Sequence, residues 1–361
     1  MVSDVLIIGA GISGLLTGLF LRRKGIQVTI IDQGDIARES TWAGAGILSS
    51  LLPWNYGGAV NMLVERGRRM WPALAAELAE ETGIDPEYWA CGMLVLAPEK
   101  PKEAKAWCHD HGWEFTEPAP AGVLRHCHSQ LADRHSLWLP EVAQARNPRI
   151  ARALETACRQ AGISIHPRTA VTHLEFANGI VEYAHSKAGN ITARHYVVAA
   201  GAWSNTCLGE RALGVSIEPV RGQILLYETG PGELTCTVYH GGKYIVPRKD
   251  GHVLVGSTLE TVGFDKHNTE AACQELQAFA LDTIPNLARA KLVRQWAGLR
   301  PGSKDNVPTI SRHPEIGNLF INSGHFRYGV TMGPAAAEML AEIITDQPTT
   351  LDATAYGWPR D

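Results

Sequence analysis

The first 32 residues constrain the fold more than any other part of the 361-residue chain. An apolar run ends at Ile8, and three glycines with the spacing G-x-G-x-x-G follow it: Gly9, Gly11 and Gly14. In a turn from strand to helix, the first glycine permits the tight turn and the second lets a pyrophosphate approach the backbone. The third lets the helix pack closely on the strand. The N-terminus of that helix attracts the phosphates.

A second β-branched run, Val28–Ile31, leads to Asp32. A carboxylate at the end of such a strand accepts the ribose hydroxyls of an adenosine and disfavours a 2′-phosphate. A helix from 15 to 24 with Gly25 as its C-cap separates the two strands. Strand, helix, second strand and terminal acid in this order predict a dinucleotide site, for which NAD and FAD both remain.

Composition excludes several classes of function. The net charge is -4 and the Lys and Arg residues are dispersed, so nothing favours nucleic acid or an anionic membrane as a partner. No apolar run reaches about 18 residues, and the chain enters its first strand directly, so we expect a cytoplasmic protein. Seven scattered cysteines without a C-x-x-C pair fit a reducing compartment. The His- and Cys-containing runs 108–111 and 126–128 match no zinc spacing, and we expect no metal site.

Hydrophobic periodicity alternates between two patterns. Helices are predicted at 59–82, 148–162 and 334–346, with Pro334 at the first position of the last one. Alternating stretches between 215 and 292 predict an antiparallel sheet with hairpins. We therefore expect an α/β Rossmann-like dinucleotide-binding domain interleaved with an α+β domain built on an antiparallel sheet. The first domain comprises residues 1–82, 146–214 and 293–361, and the second comprises 83–145 and 215–292.

Small residues and two arginines are candidates for binding. Backbone N–H groups in the run Ser40–Leu48 can reach a second phosphate or a flat ring, which a nicotinamide site seldom requires here. Arg300 precedes a turn, and Arg327 lies between a predicted strand and the last helix. A guanidinium binds a carboxylate bidentately, so either arginine fits an acidic substrate, with a surface ion pair as the alternative.

Taken together, these stretches resemble the glycine oxidase branch of the D-amino-acid oxidase family of flavoenzymes over almost the whole chain. The segments that carry the resemblance are Gly9–Gly14, Asp32, Ser40–Leu48, Tyr239, Tyr244–Arg248, Trp296–Gly302, Arg312–Pro314 and Gly324–Gly329. The resemblance implies that the first domain binds FAD and that the second covers its isoalloxazine ring. No cysteine follows Cys273, in the region where covalent relatives attach flavin, so we expect FAD to be bound non-covalently.

The resemblance also implies roles for individual residues. Arg300 would bind the substrate carboxylate with help from Tyr244, and Arg327 would line the amino side. Tyr239 would shape the pocket, with Ile47 and Leu259 limiting the size of the substrate. The residues implied in cofactor binding are Gly9, Gly11, Ile12, Ser13, Gly14, Asp32, Gln33, Ser40, Thr41, Ala45, Gly46, Ile47, Val171, His325, Phe326, Arg327, Tyr328, Gly329, Val330 and Thr331.

The implied activity is hydride transfer from a small amino acid to flavin, giving a 2-oxo acid, ammonia and hydrogen peroxide, with oxygen as acceptor. Related oxidases imply a homo-oligomer, and the branch implies a role in thiamine synthesis. Ile47 and Leu259 depart from methionines that occur in the branch, which leaves the preferred substrate size open. The alternatives are a D-amino-acid dehydrogenase, a secondary-amine oxidase that favours sarcosine, and a non-catalytic FAD-binding subunit.

Overall fold

The computed structural model describes residues 3–132 and 135–359, so the ends of the predicted domain ranges at 1, 2, 360 and 361 lie outside it. The strands are β1 (Ser3–Ile8), β2 (Val28–Ile31), β3 (Ile47–Leu48), β4 (Met93–Leu96), β5 (Ser136–Leu139), β6 (Ala143–Gln144), β7 (Ser164–His166), β8 (Val171–Ala177), β9 (Ile180–Ser186), β10 (Gly189–Ile191), β11 (Ala193–Val198), β12 (Ile217–Glu228), β13 (Thr237–His240), β14 (Lys243–Pro247), β15 (His252–Gly256), β16 (Lys291–Ser303), β17 (Thr309–Arg312) and β18 (Leu319–Ser323).

The helices are α1 (Ile12–Arg23), α2 (Ser40–Ala43), α3 (Gly58–Thr82), α4 (Pro101–Asp110), α5 (Ala121–Leu124), α6 (Ser129–Ala132), α7 (Asn147–Gln160), α8 (Ser204–Leu208), α9 (Glu270–Thr283) and α10 (Gly329–Ile344). Short 3₁₀ turns lie at Pro53–Asn55, Gly201–Trp203, Gly209–Ala212, Pro285–Arg289, Lys304–Asn306 and Thr354–Tyr356. No helix within the described ranges combines the length and apolar character that a membrane crossing requires.

The first sheet has the strand order β17-β18-β11-β1-β2-β7, parallel throughout except for β17. In its central strand β1 the residues Val5–Ile8 are all apolar, because both faces of the strand are buried there. Helices α1, α3, α7 and α10 pack together on one face. A smaller antiparallel sheet of β8, β9 and β10 packs its apolar side chains against the other face. The predicted Rossmann-like α/β architecture is thus confirmed.

The second sheet has the strand order β16-β12-β15-β14-β13-β4-β5, in which β13 and β4 alone run parallel among the described pairs. The predicted antiparallel sheet with hairpins is confirmed, but α9, which packs on β12 and β15, was not predicted. Strand β16 stays paired with β12 as far as Ser303. A boundary at residue 292 would cut this ladder, so we propose the two-domain division with that boundary moved to 303.

The last helix begins earlier than the sequence predicts. Helix α10 starts at Gly329, so Pro334 lies inside it rather than at its first position. Proline has no N–H to donate to the carbonyl four residues earlier, that of Val330. The indole Nε1 of the fully buried Trp71 on α3 donates to this carbonyl instead, at 2.9 Å. A partner distant in sequence therefore allows the helix to extend through the proline.

Contacts around α2 join the two sheets. The indole Nε1 of Trp296 on β16 donates to the Ala43 carbonyl at 3.0 Å, and the Arg248 guanidinium donates to the Ala45 carbonyl at 2.7 Å. Cross-strand pairs place Tyr244 and Arg300 on the same inner face of the second sheet. This face is therefore directed toward the carboxyl ends of the strands of the first sheet.

Candidate active site

A cavity of about 250 Å³ lies between the inner face of the second sheet and the carboxyl ends of strands in the first. Ligands of open α/β sheets bind at this edge. Most of the predicted site residues line it: Gly9, Gly11, Ile12, Ser13, Asp32, Gln33, Ser40, Thr41, Ala45, Gly46, Ile47, Val171, Tyr244, Arg300 and His325–Thr331. The structure therefore brings together residues that are up to 322 positions apart in the chain, from Gly9 to Thr331.

The glycine turn after β1 forms one wall of the cavity. Gly9 has φ 114°, and a Cβ there would collide with the backbone carbonyl of Ala199. Gly11 is the N-cap of α1 and lines the cavity. Gly14 does not line it, and a Cβ on Gly14 would collide with the carbonyl of Gly9. Its role is the close packing of helix on strand, as the spacing indicates.

Asp32 lies at the end of β2 and lines the cavity. Its carboxylate accepts hydrogen bonds from the backbone N–H of Ala10 at 2.7 Å and of Gly34 at 2.8 Å. Burial raises the pKa of the Asp32 carboxyl, and these two donors oppose that rise. The bonds fix the carboxylate at the end of the cavity that Val171 also lines, where the ribose of an adenosine would bind.

The run of small residues after β2 forms the next part of the wall. Thr41 Oγ1 accepts a hydrogen bond from the Ile12 N–H at 2.9 Å, which ties α2 to the start of α1. Gly46 has φ 73°, and a Cβ there would collide with the Ala145 carbonyl. The Ile47 carbonyl accepts from Thr331 Oγ1 at 3.1 Å, so this run also contacts α10. Backbone atoms therefore face the cavity without bulky side chains between them.

His325 and the start of α10 suit a flat polar ring. The His325 side chain is only 2% exposed, and its Nε2 has no hydrogen-bond partner among the described residues. Burial lowers the pKa of His325 to about 4, so the imidazole is neutral at pH 7. Residues of the first turn of α10, beginning at Gly329, line the same part of the cavity. An unpartnered buried nitrogen and a helix N-terminus fit the polar edge of a flavin.

Arg300 presents a cation to the cavity. Its Nη2 donates to Ser257 Oγ at 2.6 Å, and its Nη1 donates to the Thr258 carbonyl at 3.3 Å. Burial is the main cause that lowers the pKa of the Arg300 guanidinium, and the nearby Tyr244 opposes it. Among the described residues no carboxylate lies within 4 Å of this guanidinium. A partly buried cation with neutral partners is a site for an anionic ligand.

Arg327 lies among tyrosines. Burial disfavours its charged form, but the hydroxyl groups of Tyr328, Tyr56 and Tyr239 around it leave its pKa above the usual value. Tyr328 donates a hydrogen bond to the Tyr56 hydroxyl, and their rings meet edge to face with centroids 5.2 Å apart. Burial raises the pKa of Tyr328 well above its usual value, so its hydroxyl stays protonated. The loop that contains Tyr56 therefore meets the cavity at Arg327.

Two predicted pocket residues do not line the main cavity. Tyr239 lies opposite Tyr244 in the pairing of β13 and β14, outside the cavity wall. The Leu259 side chain is 54% exposed and lines a separate cavity of about 440 Å³, which Arg327 also reaches. Leu259 follows Thr258, whose carbonyl accepts a hydrogen bond from Arg300, and its own side chain is exposed. The role of Leu259 in limiting the size of the substrate stays a prediction.

The cavity is also lined by Ala199–Trp203, Thr206, Cys207 and Ser323, and no role was predicted for the last three. The small residues directly after β11 were the available signal, because they follow an apolar strand that ends at the same edge as β1 and β2. Ser323, at the end of β18, accepts a hydrogen bond from Ser204 Oγ at 2.7 Å. Only the strand order brings these segments together.

Comparisons with known proteins agree with this architecture. A family model described as FAD dependent oxidoreductase (DAO) matches residues 4–343. Glycine oxidase of Pseudomonas aeruginosa is 36% identical over 363 residues, covering 99% of this chain and 98% of that protein. The crystal structure of glycine oxidase from Geobacillus kaustophilus has a TM-score of 0.94 at 26% identity, covering 99% of both chains. Iminodiacetate oxidase from Chelativorans sp. has a TM-score of 0.89 at 27% identity over 98% of both. The chain belongs to the DAO family of FAD-dependent oxidoreductases.

Proposed function

We propose that this chain oxidatively deaminates glycine and other small amino acids with FAD, giving a 2-oxo acid, ammonia and hydrogen peroxide. The observation that carries the proposal is the Arg300 guanidinium, which lines the cofactor cavity with neutral partners among the described residues. The family relationship and the full-length similarity to a glycine oxidase support it. The assignment of individual residues to steps is part of the proposal.

The substrate carboxylate would bind to Arg300. Ser257 and Thr258 already occupy one side of the guanidinium, and this leaves the side that faces the cavity for a ligand. A carboxylate there replaces water around a partly buried cation and gains charge-assisted hydrogen bonds. Tyr244 lines the cavity beside Arg300 and would donate a further hydrogen bond to the carboxylate.

When bound, FAD accepts a hydride from the substrate Cα at its N5 atom and passes the electrons to an acceptor. The chain contributes orientation, since the carboxylate anchor and Arg327 on the amino side restrict how the substrate lies. The backbone N–H groups at the start of α10, which line the cavity, would stabilise negative charge that develops at the edge of the ring. His325 stays neutral there, because burial lowers its pKa to about 4.

Ile47 would limit the size of the substrate. It lines the cavity and follows Gly46, whose backbone is fixed against Ala145. The two arginines would hold two substituents of Cα and the hydrogen would face the bound cofactor, so one direction would be left for a side chain. We therefore propose that small substrates are preferred and that L-amino acids are rejected.

A peroxide assay tests the function. The purified holoprotein is mixed in air with glycine, sarcosine, D-alanine, D-proline and L-alanine, and hydrogen peroxide and the 2-oxo acid are measured. The same panel is added without oxygen, and bleaching of the flavin absorbance is followed. Equal amounts of 2-oxo acid and peroxide from glycine support the proposal. Flavin that no member of the panel bleaches would refute it and favour a non-catalytic FAD-binding subunit.

A secondary-amine oxidase is the second candidate. The structural similarity to iminodiacetate oxidase favours it, because that protein resembles this chain almost as closely as the glycine oxidase does. A higher kcat/KM for sarcosine or iminodiacetate than for glycine would select it. Rapid bleaching by glycine with slow reoxidation in air would instead indicate a dehydrogenase with another acceptor.

The proposal also covers the electron acceptor, the oligomeric state, the location and the cellular role. We propose oxygen as the acceptor, a homo-oligomeric state and a cytoplasmic location, on the family resemblance. The same resemblance supports a role for the imine of glycine in thiamine synthesis. Light scattering coupled to size exclusion tests the oligomeric state, and loss of thiamine-independent growth after deletion of the gene tests the role.

A further inference from the structure

We propose that Gly222 is a positioning residue, whose missing side chain fixes where the Arg300 guanidinium binds a carboxylate. Gly222 is buried on β12, opposite Gly298 on β16, and Arg300 lies two residues further along β16 on the same face. The assignment of this carboxylate to an amino-acid substrate rests on the proposed function. The geometry of the anion site itself does not depend on that assignment.

The contact is close on one side of the guanidinium. A Cβ built on Gly222 would approach Arg300 Nη1, Nη2 and Cζ to less than 3.0 Å, a separation that real Cβ atoms essentially never show. The guanidinium therefore lies against the backbone of β12. No other residue type leaves that space free, since every other side chain begins with a Cβ.

The same guanidinium is also held by hydrogen bonds. Ser257 Oγ and the Thr258 carbonyl accept from it, and Thr258 is in turn fixed by the Gln223 N–H, which donates to Thr258 Oγ1 at 2.9 Å. Thr258 Oγ1 donates to Glu260 Oε1 at 2.5 Å, and Glu260 pairs with the buried Arg221 at 2.6 Å. Gly222 lies between Arg221 and Gln223 in sequence. Strand β12 thus holds Thr258 and Glu260 through its own side chains and backbone, and at Gly222 it leaves the space that the guanidinium occupies.

The substitution Gly222→Ala can change the position of the Arg300 guanidinium without preventing folding. The φ of Gly222 lies outside the left-handed region, so alanine fits the backbone there. Alanine in a strand interior is favoured over glycine by roughly 0.5–1 kcal/mol, which corresponds to about a two- to fivefold change in the folding equilibrium. Gly222→Ala should therefore leave folding intact while it moves the guanidinium away from its hydrogen bonds.

The test measures carboxylate binding and turnover in the holoprotein. Acetate, which has no amine to oxidise, is titrated while the flavin absorbance is recorded, and glycine kinetics are measured in parallel. For Gly222→Ala we expect the Kd for acetate and the KM for glycine to rise together by about 10- to 150-fold, the range for one lost hydrogen bond to a charged group. Thermal stability should stay at or slightly above the wild-type level, and the FAD content should be unchanged. Gly317→Ala is the control, because its Cβ would meet nothing within 4 Å.

A second pair of variants tests the steric cause. In an Arg300→Lys background the Nη atoms are absent, so adding Gly222→Ala should change the acetate Kd by less than about threefold. The effects of the two substitutions would then be far from additive. An equal effect in both backgrounds would overturn the proposal, and so would an unchanged acetate Kd in a folded Gly222→Ala protein. Loss of FAD or of thermal stability in that variant would assign Gly222 a structural role instead. If wild type binds acetate but oxidises no amino acid, the proposed function fails while the acetate Kd still decides the role of Gly222.

Discussion

Three buried or half-buried arginines, Arg221, Arg248 and Arg300, have different roles because their acceptors differ. Arg221 pairs with the carboxylates of Glu260 and Asp265, at 2.6 and 2.7 Å. Arg248 donates to Gln144 and to backbone carbonyls, and burial lowers its pKa to about 10. Both groups are satisfied inside the protein. Of the three, Arg300 alone faces the cofactor cavity. This position, and not the degree of burial, identifies Arg300 as the residue that binds the substrate carboxylate.

Replacing Arg300 by methionine should lower kcat/KM for glycine by about 100-fold or more, because the carboxylate would enter the site unpaired, a loss of roughly 3 kcal/mol or above. FAD binding should persist, since the glycine turn and Asp32 follow strands of the first sheet, whereas Arg300 is on β16 of the second sheet. Steady-state kinetics and the flavin spectrum check both points. Arg248→Met serves as a contrast, since it should reduce stability more than substrate affinity. Wild-type kinetics in Arg300→Met would indicate that Arg327 binds the substrate carboxylate instead.

Tyr244→Phe should retain substantial flavin reduction, because we assign the hydroxyl to holding the carboxylate and not to proton removal. One hydrogen bond to a charged group is worth about 10- to 150-fold and a general base about 100- to 10,000-fold, so magnitude alone does not separate them. Anaerobic stopped-flow with glycine does, because a lost contact raises Kd and a lost base lowers the limiting reduction rate. A collapse of that rate at unchanged Kd would give Tyr244 a chemical role.

Among the elements, α10 depends on a contact that its own sequence does not contain. The indole of Trp71 supplies the donor that Pro334 lacks, and it does so at Val330, in the first turn of the helix, which lines the cavity. The first turn of α10 is thus held against α3. The element that would stabilise charge at the cofactor is therefore fixed by a residue more than 250 positions away.

Trp71→Phe should destabilise the protein by about 1–3 kcal/mol, because the buried Val330 carbonyl is left without a donor. Chemical denaturation measures the loss. In a Pro334→Ala background the backbone N–H of residue 334 can donate to the Val330 carbonyl. The loss of stability caused by Trp71→Phe should therefore be smaller in that background. Equal losses in both backgrounds would mean that ring packing, and not the hydrogen bond, dominates at Trp71.

His313, in the turn between β17 and β18, should make this hairpin sensitive to acid. Its Nδ1 accepts from the N–H groups of Glu315 and Ile316, and its Nε2 donates to the Arg211 carbonyl. Burial lowers the pKa of His313 below its usual 6.5. The unfolded chain therefore binds the proton more readily, and stability that is present above pH 6.5 falls as the pH drops below it. His313→Gln should be less stable at pH 7 but lose less stability between pH 7 and pH 5, measured by urea unfolding. A parallel loss in both proteins would contradict this assignment.

Local signals explain what could be predicted from the sequence. The glycine turn, Asp32 and the β-branched strands are specified by neighbouring residues, and the structure has them where they were expected. The start of α10 was missed because Trp71 is remote from Pro334. The exposure of Leu259 was not predicted, because its neighbours Thr258 and Glu260 are bound by Gln223 and Arg221 on another strand. Helix α9, with Thr269 as its N-cap, was overlooked among the strand signals that surround it.

For the whole molecule, the cofactor cavity joins segments from both sheets, so FAD should contribute to global stability. We expect FAD to leave the protein on acid precipitation, because it is held without a covalent bond. Adding free FAD at 100 times its Kd should raise the free energy of unfolding of the apoprotein by about 2.7 kcal/mol. Thermal unfolding with and without FAD checks the second point. Flavin that remains in the acid pellet would instead show a covalent link.

The strand order of the first sheet has a consequence for synthesis. Strand β11 needs β18 as its neighbour, and α10 completes the cavity, although β18 begins at Leu319, 121 residues after the end of β11 at Val198. Translation at about 5–20 residues per second takes roughly 6 to 24 s to cover that distance. Until then the edge of β11 stays unpaired and the phosphate-binding turn lacks its opposite wall. The nascent polypeptide therefore exposes the edge of β11 to aggregation during this interval, and flavin loading has to follow the synthesis of α10.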